Sequence, residues 1–382
     1  MNTTENDLEA AWRTAGGDAS RRGLFSAAVN PGRRVARRLA AIGAVQAATV
    51  ISATGTSFIA DMAGHVRAFA SSGQPLWETR LEGGISATPV LAPNDALLFV
   101  ATHVGLVAAL EAASGKWVWQ KTIPSQADPR ILSDLLYLAT TNRVILSSWG
   151  GRFVALDAAT GTSAGDWDAG ISPGAAASAD SAGNVYCLRA VASRGIEFVR
   201  VAPSGAETVL HGEPETSRGA RRALVTAAPV LDEARGVAYL VLNGDRRATV
   251  VAWSLADSRI RWREELDVGV QGTPAVRKDG AVIVADLAGT VHGFSPGGWR
   301  IFSYATGSDY LLAGPVAEGS GRAFVGDPLG RLHVIEAEGK GRVAFEIPRA
   351  IQGRASFGPA GDLYVPGTDK TVHVLTTRRV AA

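Results

Sequence analysis

The sequence predicts an all-β protein, an eight-bladed β-propeller of four-stranded antiparallel blades, with the ring closed by an N-terminal strand that completes the last blade. Three observations predict it. Glycine accounts for 44 of 382 residues and proline for 17, which implies many tight turns. Short apolar stretches alternate with period two between Gly, Pro, Asn and Ser, the pattern of half-buried strands, and no long amphipathic helix is legible. One unit recurs about every 40–46 residues: Gly64 to Trp77, Gly105 to Trp119, Gly151 to Trp167, weaker copies around Gly195 to Gly205 and Ala248 to Trp262, then Gly289 to Phe294, Gly330 to Ile335 and Lys370 to Leu375.

The elements follow in chain order. Residues 1–42 read as a closing strand and an Arg-rich connection, and residues 43–382 as the propeller that forms one domain with them. The blades fall at 43–82, 84–123, 130–169, 171–211, 223–266, 268–304, 308–347 and 350–376. Each opens with a short inner strand that often carries a proline, as in Thr88-Pro89-Val90, Ala228-Pro229-Val230, Thr273-Pro274-Ala275 and Gly314-Pro315-Val316. An alternating strand such as Ala96 to Ala101 comes next, then a tight turn, a second alternating strand, a Gly turn and a strand marked by Trp. The tight turns have a chemical cause. In Asp61 to Gly64, Asp286 to Gly289 and Asp327 to Gly330 the carboxylate bonds backbone two residues on, and Gly supplies a positive φ.

The last blade stops after its third strand, Val372 to Leu375, which leaves a sheet edge to be covered. Ala11-Trp12-Arg13-Thr14 carries the missing Trp and is expected to pair there, with Leu39 to Val45 as the inner strand of the first blade.

The unit Gly151 to Trp167, with Ala155-Leu156-Asp157-Ala158-Ala159-Thr160-Gly161 at its centre, and its counterpart Gly105 to Trp119 resemble the quinoprotein-type, pyrroloquinoline-quinone-like propeller repeat. The stretch Trp12 to Gly23, with Gly17-Asp18 and Arg21-Arg22-Gly23, is similar to the N-terminal segment common in that group. The resemblance implies the propeller over nearly the whole chain and one of two functional branches. One comprises dehydrogenases that bind the quinone and calcium. The other comprises cofactor-free scaffolds, such as the lipoprotein subunit of the outer-membrane assembly machine. The dehydrogenases stack the quinone against an adjacent cysteine pair, whereas this chain has the single Cys187. The lipid-modified Cys of a lipoprotein signal is not found in this sequence either. A cofactor-free relative is expected, not a quinone-dependent dehydrogenase.

Composition narrows the classes further. One cysteine excludes an internal disulfide and any cysteine-built zinc or iron–sulfur site. The balance of 38 Lys+Arg against 36 Asp+Glu, net +2, without aromatics among the arginines, speaks against a nucleic-acid partner. The charge is uneven: six arginines and no acid lie between Arg21 and Arg38. That run reads as a solvated connection, with an acidic partner as the alternative. No apolar run of ~20 residues is present, so no transmembrane helix is expected. A bacterial, cytoplasmic monomer is expected. Export is the alternative, if a start or signal lies near Arg33 to Val45; Ser20-Arg21-Arg22 only superficially matches a twin-arginine signal, because no apolar core follows it.

His292, His333 and His373 occupy equivalent places in consecutive blades, with Arg67 at that place in the first. Blades stack ~10 Å apart, too far for shared metal ligation, so no metal is expected. Cys187 reads as buried and inert, and Trp77, Trp119, Trp167 and Trp262 as packing between blades. No nucleophile elbow or paired carboxylates mark a catalytic site. In propellers the turns between second and third strands and the connections between blades share one face. On it fall Asp61, Trp149, Asp286, Asp327 and Asp369, with Gln46, Gln271 and Arg354 near the channel mouth. The aspartates also have the turn explanation. The expected function is a non-catalytic scaffold that presents this face to a protein or peptide. The alternative is a cofactor-independent isomerase, lyase or cyclase acting on a small molecule at the mouth.

Overall fold

The structure is a computed structural model, and it describes residues 11–124, 128–170, 176–191, 195–213, 225–244 and 247–379. Eight antiparallel sheets of four strands stand around a central channel, and a short parallel strand adds to one of them. The second blade shows the pattern, with Val90–Leu91 innermost, then Leu97–Ala101, Leu106–Glu111 and Trp117–Thr122 outermost. Its two middle strands are almost wholly buried because both faces meet neighbouring blades, while the outer strand alternates between exposed and half-buried positions. The apolar core is accordingly split between blades. Phe99 and Val107 of the second blade, for example, share one cluster with Leu135, Val144 and Leu156 of the third.

Tryptophans of the outer strands lock successive blades. The indole N–H of Trp119 donates to the Ala158 carbonyl at 2.9 Å, and its ring lies on Gly161, where a Cβ would sit 2.6 Å from ring carbon. Trp77 bonds Ala112 in the same way, and Trp262 bonds Pro296. Trp167 departs from this pattern. It stacks on Phe153 of its own blade at 5.4 Å and packs with Cys187 in a core shared with the fourth blade, rather than bonding a carbonyl of that blade.

The N-terminal strand closes the ring, but not through the residues expected to do so. The outermost strand of the last blade is Val29–Ala40, antiparallel to Thr371–Arg379, with Val35 opposite Leu375 and Leu39 opposite Val372. The arginines from Arg33 to Arg38 therefore lie in this strand rather than in a solvated connection, and Arg21, at the start of the run, is buried. The strand's long partner needs a long mate, and Val29 and Leu39 supply buried contacts. Trp12 instead bridges Ile51 in the innermost strand of the first blade, Val50–Ile51, and meets Phe357 edge-on at 5.7 Å. The stretch from Leu39 to Val45 thus ends the closing strand and begins a connection; it is not the inner strand of the first blade. Among the described residues no helix is long and apolar enough to cross a membrane.

Candidate functional site

Inner strands of a propeller face a channel and would leave edge N–H groups unpaired. Here residues 12–25 run past the inner strands in order and pair them. Trp12 and Ile51 exchange two backbone hydrogen bonds of 2.8 Å in the first blade, and the Leu91 N–H donates to the Arg13 carbonyl in the second. Thr14 Oγ1 donates to the Leu135 carbonyl at the third. The N–H groups of Ala179, Leu231, Val276 and Ala317 then donate to the carbonyls of Ala19, Ser20, Arg22 and Gly23, across the fourth to seventh blades. Leu24–Phe25 pairs in parallel with Val316–Glu318, and Phe25 stacks on Phe357 of the eighth blade at 5.0 Å. The segment floors the channel on the side of the loops that follow the inner strands.

Two buried arginines bind this floor to the walls. Arg21, at φ 58, sends Nε to the Ala177 carbonyl at 2.7 Å and Nη2 to the carbonyls of Asp134 and Leu135. Arg354, from the connection into the last blade, crosses to the sixth and seventh. Its Nε donates to the Pro315 carbonyl at 3.0 Å and its Nη2 to Pro274 at 2.9 Å. A Cβ on Gly16 would lie 2.7 Å from Arg354 Nη1, and one on Gly23 would lie 2.1 Å from Nη2, so the guanidinium fits only against glycine. Burial pushes the Arg354 pKa down to about 10, with Asp134 acting in the opposite sense.

The other end of the channel is open. A cavity of about 830 Å³ is lined there by the connections between blades, including Gln46, Gln271, Gln352 and Arg354, and by Trp149 from a turn between second and third strands. The connections grip one another around this mouth. Thr88 Oγ1 accepts the Ala48 N–H, the Thr88 N–H donates to Asp134 Oδ1 at 2.8 Å, and Thr273 Oγ1 accepts the Ala228 N–H. Gln46 Nε2 donates to Gln352 Oε1 at 2.9 Å. Trp149 lies under the Arg130 guanidinium, 4.8 Å from the ring centre.

The structure thus brings together Gln46, Gln271, Arg354 and Trp149, whereas Asp61, Asp286, Asp327 and Asp369 do not line the cavity. All four sit on the same face, and three of them clamp its turns, whereas Asp369 Oδ1 has no partner among the described residues. Asp61 Oδ1 accepts the N–H groups of Ala63 and His65, Asp286 Oδ1 those of Ala288 and Thr290, and Asp327 Oδ1 those of Leu329 and Arg331. The second carboxylate oxygens of Asp286, Asp327 and Asp369 bond His292, His333 and His373 at 2.8, 3.0 and 2.8 Å. Ser303 completes a Ser–His–Asp chain with His292, through Oγ to Nδ1 at 2.9 Å. At the equivalent His333 the partner is the Tyr304 hydroxyl, and at His373 Nδ1 has none among the described residues. The constant feature is the Asp–His clamp, and Ser303 lies on an outer strand, Arg300–Ala305, away from the channel. No cluster of three metal-ligating side chains occurs among the described residues. Cys187 is fully buried and burial raises its thiol pKa to about 12.

Sequence reasoning missed Arg21, Asp134 and Gln352. Arg21 and Asp134 meet only after the ring has closed, although the Asp18–Arg21–Gly23 spacing did single out the segment that carries Arg21.

The same face carries exposed apolar side chains. They are Val104, Leu287 and Leu329 from turns between second and third strands, and Ile42 and Tyr310 from connections, with Leu329 62% exposed. Against known proteins, residues 62–296 match the family model described as outer membrane protein assembly factor BamB. No curated protein matches the chain. The crystal structure of BamB from Moraxella catarrhalis is similar, at TM-score 0.71 and 18% identity over 91% of this chain and 99% of that one. Quinohemoprotein alcohol dehydrogenase from Comamonas testosteroni gives TM-score 0.76 at 13% identity over 100% and 84%. The computationally designed Ika8 protein gives 0.63 at 12% identity over 91% and 99%. At such identities these likenesses establish a shared fold.

Proposed function

Because the chain belongs to the BamB-type family of pyrroloquinoline-quinone-like β-propeller repeats, we propose that it is a non-catalytic scaffold whose open loop face holds a protein or peptide partner. One observation carries this reading: Ile42, Val104, Leu287, Tyr310 and Leu329 expose apolar side chains on the face that also holds the channel mouth. These side chains come from turns and connections of several blades and give one face apolar surface that a partner can cover. At the opposite end the protein's own N-terminal segment crosses the channel, and only a smaller cavity of about 410 Å³ lies there, against about 830 Å³ at the open mouth. The name of the family, an assembly factor, supports a role in holding other proteins.

The test substitutes Leu287 and Leu329 together with glutamate and compares capture of partners with the unchanged protein. Capture is expected to fall at least about tenfold, with unfolding free energy within ~0.5 kcal/mol of the parent because both side chains are exposed. Undiminished capture by the double variant would contradict the proposal.

A further inference from the structure

We propose that the seam between the third and fourth blades binds a tryptophan side chain of a partner polypeptide, in a slot that the ring's own outer strand does not fill. At other seams a side chain of one outer strand lies on a turn glycine of the next blade. Trp77 covers Gly115, Trp119 covers Gly161 and Trp262 covers Gly298, where a Cβ would stand 2.4, 2.6 and 2.8 Å from ring carbon. Phe302 covers Gly339, and Arg37 covers Gly73. The covering residue has a fixed register, just ahead of a bulge: Trp77 opposite Ala68, Trp119 opposite Ala109 and Trp262 opposite Ala252. The third blade puts Gly165 at that place, opposite Ala155. Trp167 falls two residues later and turns into the core, so nothing lies within 4 Å of a Cβ on Gly205, the turn glycine of the fourth blade. Gly115, Gly161 and Gly298 are buried, whereas Gly165 and Gly205 are exposed.

The slot keeps the parts that hold an indole elsewhere. The turn from Ala202 to Gly205 closes like the turn from Ser295 to Gly298: the glycine N–H donates to the carbonyl of the first residue, at 2.8 and 2.9 Å. That match places the Pro203 carbonyl where Pro296 accepts the Trp262 N–H at 2.8 Å, and the Pro203 carbonyl accepts no hydrogen bond among the described residues. Leu138, Ile145 and Trp167 add apolar walls to the cavity of about 80 Å³ that Gly165, Pro203 and Gly205 line. A planar apolar ring with one N–H donor matches these partners. Trp77, Trp119 and Trp262 are themselves only half-buried in their slots. Cover of that extent returns too little for a free ring against the cost of association, and enough for a ring carried on a chain that makes further contacts. The nine tryptophans of the sequence all have places among the described residues, and only Trp167, as a wall, lines this cavity, which leaves the slot to another chain.

The experiment is an NMR titration of the isotope-labelled full chain that follows the backbone amides of Gly165 and Gly205. The probes are a terminally blocked Gly-Thr-Trp-Thr-Gly peptide, its Ala counterpart, a counterpart carrying 1-methyltryptophan, and free indole. Saturable shifts at both glycines, absent at Gly307, are expected with the Trp peptide. Its affinity is expected to exceed that of the Ala peptide about tenfold and that of the methylated peptide, which lacks the N–H for Pro203, about fivefold. Gly205→Asn introduces a residue that tolerates positive φ and sets a side chain where the ring would lie, so binding should weaken at least about tenfold. The absence of saturable shifts at the two glycines, equal affinity for the Trp peptide and either counterpart, or undiminished binding by Gly205→Asn overturns the site. Tighter binding by free indole than by the Trp peptide overturns its polypeptide source. Should Gly205→Asn fail to fold, the methylated peptide decides on the unchanged protein. The slot opens among turns between third and fourth strands, on the side away from the open mouth, so this proposal and the scaffold reading fail separately.

Discussion

Gly23→Ala tests the interlock between the N-terminal segment and the ring. Gly23 has φ +64, and a Cβ there would lie 2.1 Å from Arg354 Nη2 and 3.3 Å from the Pro315 carbonyl oxygen. The left-handed backbone alone costs an alanine about 1 kcal/mol. Moving the guanidinium aside loses one or both of its bonds to Pro274 and Pro315, at about 1.5–3 kcal/mol for each hydrogen bond to a charged group. The expected total is about 2.5–4 kcal/mol if one bond is lost and up to about 7 if both are. Gly307 provides the control, with φ +73 and nothing within 4 Å of its Cβ position, so Gly307→Ala carries the backbone cost alone. Urea unfolding followed by tryptophan fluorescence measures both, from the shift in midpoint at constant slope. In an Arg354→Gln background the extra penalty of Gly23→Ala is expected to shrink toward that of the control, because the clashing group is gone. A Gly23→Ala penalty equal to the Gly307→Ala penalty in the parent would refute the reasoning.

Further outcomes follow from the clamps and the core. Hydrogen bonds from His333, Ser308 and Arg331 hold the buried Asp327 carboxyl down to about 2 against a reference of 3.8. A depressed acid contributes stability above its unfolded pKa and loses it as pH falls through the folded value. Asp327→Asn should therefore remove about 2 kcal/mol at pH 7 and flatten the acid limb of a stability profile between about pH 4 and 2. Burial also depresses His333, which is neutral in the fold. The stability it contributes is complete above pH ~6.5 and declines below it, visible as a mid-acid slope that His333→Gln abolishes. Trp119→Phe keeps the ring on Gly161 but loses the bond to Ala158, and should cost about 1–2 kcal/mol in urea unfolding. Cys187 should ignore a thiol reagent until guanidinium unfolds the chain; reaction in native buffer at the unfolded rate would contradict its burial.

Architecture was legible because each blade repeats the same local chemistry. Gly64, Gly105, Gly289 and Gly330 recur where a turn needs positive φ, and the alternating apolar strands repeat between them. The register of that repeat also placed Gln46, Gln271 and Arg354 in connections and Trp149 in a turn, so their shared cavity could be anticipated. The closing strand was harder. Pro31, Gly32 and four arginines interrupt the alternation in Val29–Ala40, and its pairing skips residues between Pro31 and Val35 and between Val35 and Arg37. Trp12 pulled the assignment the wrong way, because tryptophan marks outer strands elsewhere in the ring. What it serves here is a contact with Phe357 at the channel wall, a surface that exists only once the first and last blades meet. Asp134 and Arg21 are more than a hundred positions apart in sequence and gave no local sign of meeting.

The scaffold reading is tested most directly by photo-crosslinking inside cells, with a reactive residue placed either at Leu329 on the open face or at Trp299 at the opposite edge. Trp299 is 80% exposed and Leu329 62%, so exposure alone would favour Trp299. The open-face account predicts discrete adducts with a partner polypeptide from Leu329 and none from Trp299. Adducts from Trp299 with none from Leu329 would contradict it.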